Sequence, residues 1–317
     1  LELDEYIKNG SRLLARSRQR LIPAGRDYLC SMAEEKPGWL RTRAPGGEAY
    51  EQVRAEARAS GVHTVCDSSH CPNLGDCWSR GHATFMLLGR RCTRRCAFCA
   101  VEHGAPEPVD RDEPARVARA VARLGLRHAV LTSVARDDLP DQGSGQFAAA
   151  VRELRRQSGA RVELLIPDMG GDRDLLAMVA GSRPEVLGHN LETVRRLQPA
   201  VRDQRAGYER SLGVLQVIKE EEPAVVTKSS LMVGLGESRE EVREAMADLR
   251  EVGVDLLAIG QYLRPGGGRL AVARYLRPEE FEEIKDEALA MGFLHVASGP
   301  LVRSSYRAGE AFEVGRC

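Results

Sequence analysis

From residue 83 onward, short apolar runs alternate with longer stretches in which apolar side chains recur at helical spacing. The runs Ala83 to Leu88, His128 to Thr132, Val162 to Ile166, Val186 to Leu187, Val225 to Val233 and Val254 to Ile259 predict buried strands, because they are short, apolar and bounded by polar or turn-forming residues. Between them the amphipathic stretches Glu113 to Leu124, Gln146 to Arg156, Arg173 to Ala180, Tyr208 to Glu220, Glu240 to Val252 and Glu279 to Met291 predict helices. Strand followed by helix, repeated about six times, implies right-handed βαβ crossovers and a parallel sheet. No glycine-rich dinucleotide fingerprint opens the first helix. The expected fold class is therefore α/β, a partial (β/α)6 TIM-like barrel rather than an open, doubly wound sheet. In such a barrel the functional groups gather in loops at the carboxyl ends of the strands.

Ahead of residue 83 the pattern changes. Leu1 to about Ser60 is rich in Arg, Glu and Ala and is punctuated at Ile22-Pro23-Ala24-Gly25, Lys36-Pro37-Gly38 and Pro45-Gly46-Gly47, which reads as an extension with short helices. Three regions follow: an N-terminal extension over 1–82, the barrel over 83–293 and a C-terminal segment over 294–317.

Composition narrows the class. The 317 residues are 43% hydrophobic and 29% charged, without an apolar run of about 18 residues that could span a bilayer. Lys plus Arg equals Asp plus Glu at 46 each, so the overall charge gives no reason to expect nucleic acid or a membrane surface as partner. The first apolar run is broken by Asp4, Glu5 and Lys8, and no secretory signal is visible. Six of the eight cysteines fall between Cys66 and Cys99, a clustering that suits metal binding in a reducing compartment better than a disulfide scaffold. The expected location is the cytoplasm, with a processed organellar form as the alternative.

Cys92-Thr-Arg-Arg-Cys96-Ala-Phe-Cys99 follows the first barrel strand directly and so falls on the functional edge. Three thiolates could bind zinc with a fourth ligand such as His103. They could equally hold a cubane iron-sulfur cluster, which leaves one iron open to a small molecule. Arg90, Arg91, Arg94 and Arg95 either help to offset an anionic cluster or form a solvated face. A second triplet, Cys66, Cys71 and Cys77, is spaced by four and five residues just upstream, and His63 or His70 could complete a structural zinc site there.

The Cys-x3-Cys-x2-Cys spacing, with the aromatic Phe98 before its last cysteine, resembles the signature of radical S-adenosylmethionine enzymes. The two triplets in this order resemble the lipoyl synthases. That resemblance runs through Pro37-Gly38-Trp39-Leu40-Arg41, Cys71-Pro72-Asn73, Thr132 to Leu139, His189 to Val194, Lys228 to Glu237, Gly260 to Leu263 and Gly299 to Tyr306. It implies that Cys92, Cys96 and Cys99 hold a 4Fe-4S cluster whose open iron chelates S-adenosylmethionine. It also implies that Cys66, Cys71 and Cys77 hold an auxiliary 4Fe-4S cluster with Ser305 as fourth ligand, consumed as the sulfur donor. A hard serine oxygen on a cluster iron is easier to displace than a thiolate, which fits that lability. Without the resemblance, Ser304 and Ser305 would read as a helix cap or turn.

The implied reaction is radical insertion of two sulfur atoms at carbons 6 and 8 of an octanoyl chain on a lysine of a lipoyl carrier domain or glycine-cleavage H-type protein. A reductant such as ferredoxin or flavodoxin, and an iron-sulfur carrier that rebuilds the donor cluster, are the further partners implied. The Arg-rich N-terminal segment is one candidate surface for the carrier. Barrel geometry makes Thr132, Ser133, Arg136, Asp137, Asn190, Glu192 and Lys228, together with Phe98, candidates to hold S-adenosylmethionine. Lys228 could pair with its carboxylate and Asp137 accept from its amine, or these charges could satisfy one another as ordinary strand-end ion pairs.

Two other readings stand beside this one: a different two-cluster radical enzyme such as a methylthiotransferase, and a zinc-binding interaction module. The Lys228 to Gly236 stretch lacks the spacing of a phosphate loop. His189, Trp39 and Trp78 read as packing residues, and Cys30 and Cys317 as spare thiols. Gly188 and the Gly266 to Val272 stretch depart from the pattern of the family and put local substrate contacts in doubt.

Overall fold

The computed structural model describes residues 36–42, 46–69, 71–80 and 82–314, all of them within one compact unit, Ala33–Cys317. Eight strands form one sheet in chain order: β1 (His63–Thr64), β2 (Thr84–Leu87), β3 (His128–Ser133), β4 (Arg161–Leu165), β5 (Val186–Gly188), β6 (Val226–Val233), β7 (Leu256–Gln261) and β8 (His295–Gly299). The short β1 runs antiparallel to β2, and every later pair is parallel. Helices Glu113–Arg123, Ser144–Gln157, Arg173–Ala180, Tyr208–Glu221, Arg239–Glu251 and Pro278–Ala290 fill the crossovers. Each lies within two residues of its predicted span at either end.

Local chemistry fixes these boundaries. Asp172 caps Arg173–Ala180 by accepting from the Asp174 and Leu175 amides, and Ser238 with Glu241 forms a capping box at the start of Arg239–Glu251. The helices bury one stripe against the sheet, for example Val117, Ala118, Ala120 and Val121 on Glu113–Arg123.

Side chains alternate across a strand, so the register also selects the residues of the inner face. Thr84 stands beside Val130, Val130 beside Glu163, and Lys228 beside both Gly188 and Leu256. Two charges therefore meet inside the barrel, where Lys228 Nζ donates to Glu163 Oε1 at 2.8 Å and His128 Nε2 lies 3.1 Å from Glu163 Oε2.

The chain after β8 returns to the other edge of the sheet. Thr84 Oγ1 on β2 donates to Ser305 Oγ at 2.9 Å, and Phe312 packs with Val186 and Leu256. This return bridges the two edges and curls the sheet into a partial barrel. Gly260 on β7 makes room for it, because a Cβ there would lie 2.1 Å from the Val302 carbonyl oxygen.

The structure adds to the expected elements. β8 supplies a seventh parallel strand where a ligand-carrying segment was expected; its His-Val-Ala-Ser-Gly sequence is too polar to read as an apolar run. The extension carries a 12-residue helix, Glu48–Ala59. Trp78 is buried against Tyr50, but Trp39 is 44% exposed, since the single turn Gly38–Leu40 points Leu40 inward instead. His189 is packed, as expected. Cys30, His70, Cys317 and the Arg-rich stretch before residue 36 lie outside the described residues.

Candidate functional site

The loop of the first cysteine triplet leaves β2 through a sharp turn. Leu88 adopts a left-handed φ of 68°, a conformation that needs support from its surroundings. The Glu113 carboxylate accepts the Leu88 amide at 2.8 Å, and Arg136 donates to the Leu88 carbonyl at 3.3 Å. Gly143 leaves space for the Leu88 side chain, where a Cβ would approach Cδ1 to 2.2 Å.

Backbone hydrogen bonds then pin each part of the loop. The Cys92 amide donates to Glu102 and the Gly104 amide to Cys92, while Thr93 and Ala97 donate to Ala135 and Val201. Leu270, in the glycine-rich stretch that departs from the family pattern, donates to Ala97, so that stretch lies against the loop of Cys92, Cys96 and Cys99. Amides of Arg94 and Ala135 point at Cys92 Sγ, at 3.4 and 3.3 Å, and the Asp203 amide points at Cys96 Sγ at 3.4 Å. Such donors favour sulfur as thiolate. Burial raises the Cys96 thiol and pushes Cys99 up to about 12, and the neighbouring cysteine charges add to both.

The four arginines separate into two kinds. Arg90, Arg91 and Arg95 are exposed, whereas Arg94 is buried. Its guanidinium reaches Asp137 at 2.6 Å and Asp168 at 2.7 Å, and Arg205 meets Asp137 at 3.2 Å. Arg94 is thus a fastener of the loop, with its charge already balanced.

The second triplet is assembled by two short helices, Val65–Ser68 and Leu74–Ser79. Thr64 caps the first of them through the Asp67 amide. Cys66, Cys71 and Cys77 line one cavity with Arg303, Ser305 and Tyr306. Asn73 Nδ2 ties the cysteine loop to the C-terminal segment by donating to the Leu301 carbonyl at 2.6 Å, and Tyr306 donates to Asp76 at 3.4 Å. Burial pushes Cys66 up to about 11 and Cys77 up to about 12, and raises Cys71 against the pull of the Asn73 amide and the Arg303 charge.

Both triplets offer free thiols, the donor type that iron-sulfur clusters take. The Trp78 indole nitrogen is buried without a hydrogen-bond partner among the described residues, yet lies near enough to Cys66 to favour its thiolate. Among the described residues no three of His, Cys, Asp or Glu converge closely enough to hold one metal ion. A cluster asks for wider spacing, because each thiolate sits on a different corner. His103 is exposed, and its backbone forms an isolated bridge with Cys92.

The candidates for S-adenosylmethionine take different places. Thr132 lies on the inner face near the end of β3 and donates to the Leu165 carbonyl. Ser133 belongs to the alternate set, and its buried hydroxyl has no hydrogen-bond partner among the described residues. Arg136 is buried, paired with Asp138 at 2.9 Å. Asp137 is engaged by Arg94, Thr93 and Arg205. Lys228 requires a correction of position: it is the third residue of β6, level with the first residue of β7, and not at a carboxyl end. Phe98 is half-buried in the loop.

Asn190 and Glu192 do stand just beyond β5. Glu192 has a left-handed φ of 71° and is held by the Ser230 carbonyl and the Met232 amide of β6. Burial raises its carboxyl, and its charge in turn raises Cys96 and Cys99. The Gly234 and Leu235 amides donate to Glu237, so that glycine-punctuated turn is filled by the chain itself.

Three sets of partnerships were not legible in the sequence, although Arg94, Asn73 and Lys228 were themselves named there. Arg94 stood among four arginines that read either as offsetting an anionic cluster or as a solvated face. Asn73 and the Glu163–Lys228–His128 group carry no motif of their own beyond their neighbours, and their partners lie far away in sequence.

Comparison with known proteins agrees with this geometry. Residues 86–249 match the model of the radical SAM superfamily. The chain is 53% identical over 282 residues to a lipoyl synthase of Anaeromyxobacter sp. (strain Fw109-5), covering 89% of this chain and 96% of that one. It is 55% identical over 282 residues to the lipoyl synthase of Rubrobacter xylanophilus, covering 89% and 88%. Among solved structures, methylornithine synthase superposes with a TM-score of 0.51 at 12% identity, covering 81% of this chain and 80% of that one; this likeness concerns the fold alone. With two cysteine triplets at separate stations of one partial barrel and more than half of the aligned residues shared with these relatives, the chain belongs to the lipoyl synthase family of the radical SAM superfamily.

Proposed function

We propose that the two triplets hold two 4Fe-4S clusters and that the enzyme inserts two sulfur atoms, at carbons 6 and 8, into an octanoyl chain borne by a lysine of a carrier protein. The observation that carries this reading is the position of Ser305. It lies in one cavity with Cys66, Cys71 and Cys77 although more than 200 residues separate them. Three thiols and a serine oxygen make a complete set of four ligands, whereas Cys92, Cys96 and Cys99 leave one position open.

We assign the auxiliary centre to the N-terminal region up to residue 82 with the C-terminal segment 294–317, and the radical centre to the barrel 83–293. When bound, the clusters supply the electron that splits the sulfonium of S-adenosylmethionine to a 5′-deoxyadenosyl radical, and the sulfur that is transferred.

The chain's own residues do the rest. The Arg94, Ala135 and Asp203 amides stabilise Cys92 and Cys96 as thiolates. Arg94 fixes the loop to the ends of β3 and β4 through Asp137 and Asp168. Asn190 and Glu192 offer the polar groups at the mouth for S-adenosylmethionine, with Thr132 on the inner face. Phe98 and Ser133 remain candidates beside them. Arg136, Asp137 and Lys228 hold the scaffold through the ion pairs described above. An octanoylated lipoyl carrier domain or H-type protein is the substrate, a small reductant of the ferredoxin or flavodoxin kind is the electron source, and an iron-sulfur carrier restores the donor cluster. The cytoplasm is the proposed place of action; among the described residues no helix is long and apolar enough to cross a membrane.

The test is anaerobic purification followed by iron and sulfide analysis and an assay with an octanoylated carrier peptide. About eight irons and eight sulfides per chain, with a mass gain from two sulfurs, are expected for two cubane clusters. Zinc without acid-labile sulfide, or 5′-deoxyadenosine without sulfur insertion, would overturn the proposal.

A further inference from the structure

The two consecutive serines of the C-terminal turn serve different neighbours. Ser305 Oγ accepts from Thr84 inside the auxiliary cavity. Ser304 Oγ instead donates to Asn190 Oδ1 at 3.0 Å. Asn190 passes the contact on, because its Nδ2 donates to Glu192 Oε1 at 3.2 Å. Glu192, one of the residues with a left-handed φ, is clamped to β6 on both sides of its peptide and electrostatically coupled to Cys96 and Cys99.

We propose that Asn190 is a positioning residue that couples the Ser304-Ser305 turn at the auxiliary site to the S-adenosylmethionine pocket through Glu192. The inference rests on the assignment of Ser305 as a cluster ligand. A carboxamide is suited to the task, since its oxygen accepts on one side while its nitrogen donates on the other, and its planar group fixes the angle between the two. Adjacent residues cannot move independently over more than a small distance, so a change in what Ser305 holds shifts Ser304 as well. That shift reaches the Glu192 carboxylate through two hydrogen bonds. Radical formation would then sense whether the sulfur donor is intact. S-adenosylmethionine would bind well while Ser305 is engaged, and less well once the auxiliary centre has opened.

Coupling carried by two neutral or singly charged hydrogen bonds corresponds to about a three- to tenfold change in affinity. The experiment is a double-mutant cycle of Ser304→Ala and Asn190→Ala on anaerobic, iron-sulfur-reconstituted protein. It reads the Kd for S-adenosylmethionine by equilibrium dialysis. Ser304→Ala should weaken binding about three- to tenfold in the otherwise native chain and have no further effect once Asn190 is Ala. Asn190→Asp, which keeps the acceptor and loses the donor, serves as the second variant and should behave like Asn190→Ala. Independent, additive effects of Ser304 and Asn190, or no effect of Ser304→Ala, would overturn the coupling.

A parallel spectrum of Ser305→Ala separates the two layers of the argument. A changed auxiliary-cluster signal together with a flat cycle sinks the coupling alone. An unchanged signal sinks the ligand assignment on which it rests.

Discussion

Arg94 meets Asp168 in a two-point ion pair, both contacts at 2.7 Å, with the carboxylate fully buried and the guanidinium nearly so. Burial alone would push the Asp168 carboxyl up; the hydrogen bonds and charge of Arg94 reverse this and hold it below the ordinary carboxylate range. Because Arg94 lies between two cluster cysteines and Asp168 just after β4, the pair sets where the loop sits. Arg94→Ala strands a buried carboxylate, a change that costs about 3–5 kcal/mol. Urea denaturation of the cluster-free protein should show that loss. Arg94→Lys should rescue only part of it, since one ammonium cannot match the fork that serves Asp137 and Asp168 together. Full rescue by Lys would mean that charge alone matters here.

His189 contributes to the loss of stability on the acid side of neutrality. Burial holds its imidazole down to about 4, with Nδ1 next to the Ile166 carbonyl and Nε2 next to Ser211 Oγ, each at 2.9 Å. The folded state therefore binds fewer protons than the unfolded chain between the ordinary value near 6.5 and about 4. Its stability is complete above that window and declines as pH falls through it, by on the order of 3 kcal/mol. Denaturation midpoints at pH 7.5 and pH 5 measure the slope. His189→Gln should flatten it; an equal slope in that variant would assign the acid limb to other groups.

These two residues also mark what could be read from the chain before its structure. The six strand-helix repeats were legible because burial on both faces demands apolar runs and helix stripes demand a 3.6-residue period. β8 was not, because His295 and Ser298 interrupt its run. Arg94 is indistinguishable in sequence from its exposed neighbours Arg91 and Arg95, since its partners are 43 and 74 residues away. The meeting of Ser305 with the second triplet, Cys66, Cys71 and Cys77, is likewise a product of barrel closure, and only resemblance foretold it. Lys228 followed a strand-end rule that its register with Leu256 does not satisfy.

Gly260 links the barrel wall to the auxiliary site. Its Cα faces the Val302 carbonyl so closely that Gly260→Ala must displace the backbone two residues before Ser304. Ser305 should then leave the cavity while the Cys92 loop, at the other side of the sheet order, keeps its own supports. We expect the variant to fold, to retain 5′-deoxyadenosine formation at half the wild-type level or more when S-adenosylmethionine is saturating, and to insert little sulfur. Loss of both activities in equal measure would show that the segment carries more than the auxiliary ligand.

Separate stations for the two triplets predict separable losses. Cys96→Ala removes a thiolate that the Asp203 amide and the Arg202 charge both favour, and it should abolish 5′-deoxyadenosine formation together with sulfur insertion. Cys71→Ala removes a ligand on the far cavity, beside Arg303. That variant should still cleave S-adenosylmethionine at saturating concentration but transfer no sulfur to an octanoylated peptide. Iron analysis supplies the check on both, because each variant should retain about four irons from the cluster left intact. The asymmetry is the informative result. If Cys71→Ala silenced cleavage as completely as Cys96→Ala, the radical step would depend on an intact donor cluster, and the Ser304–Asn190–Glu192 chain would be the first place to look for the cause.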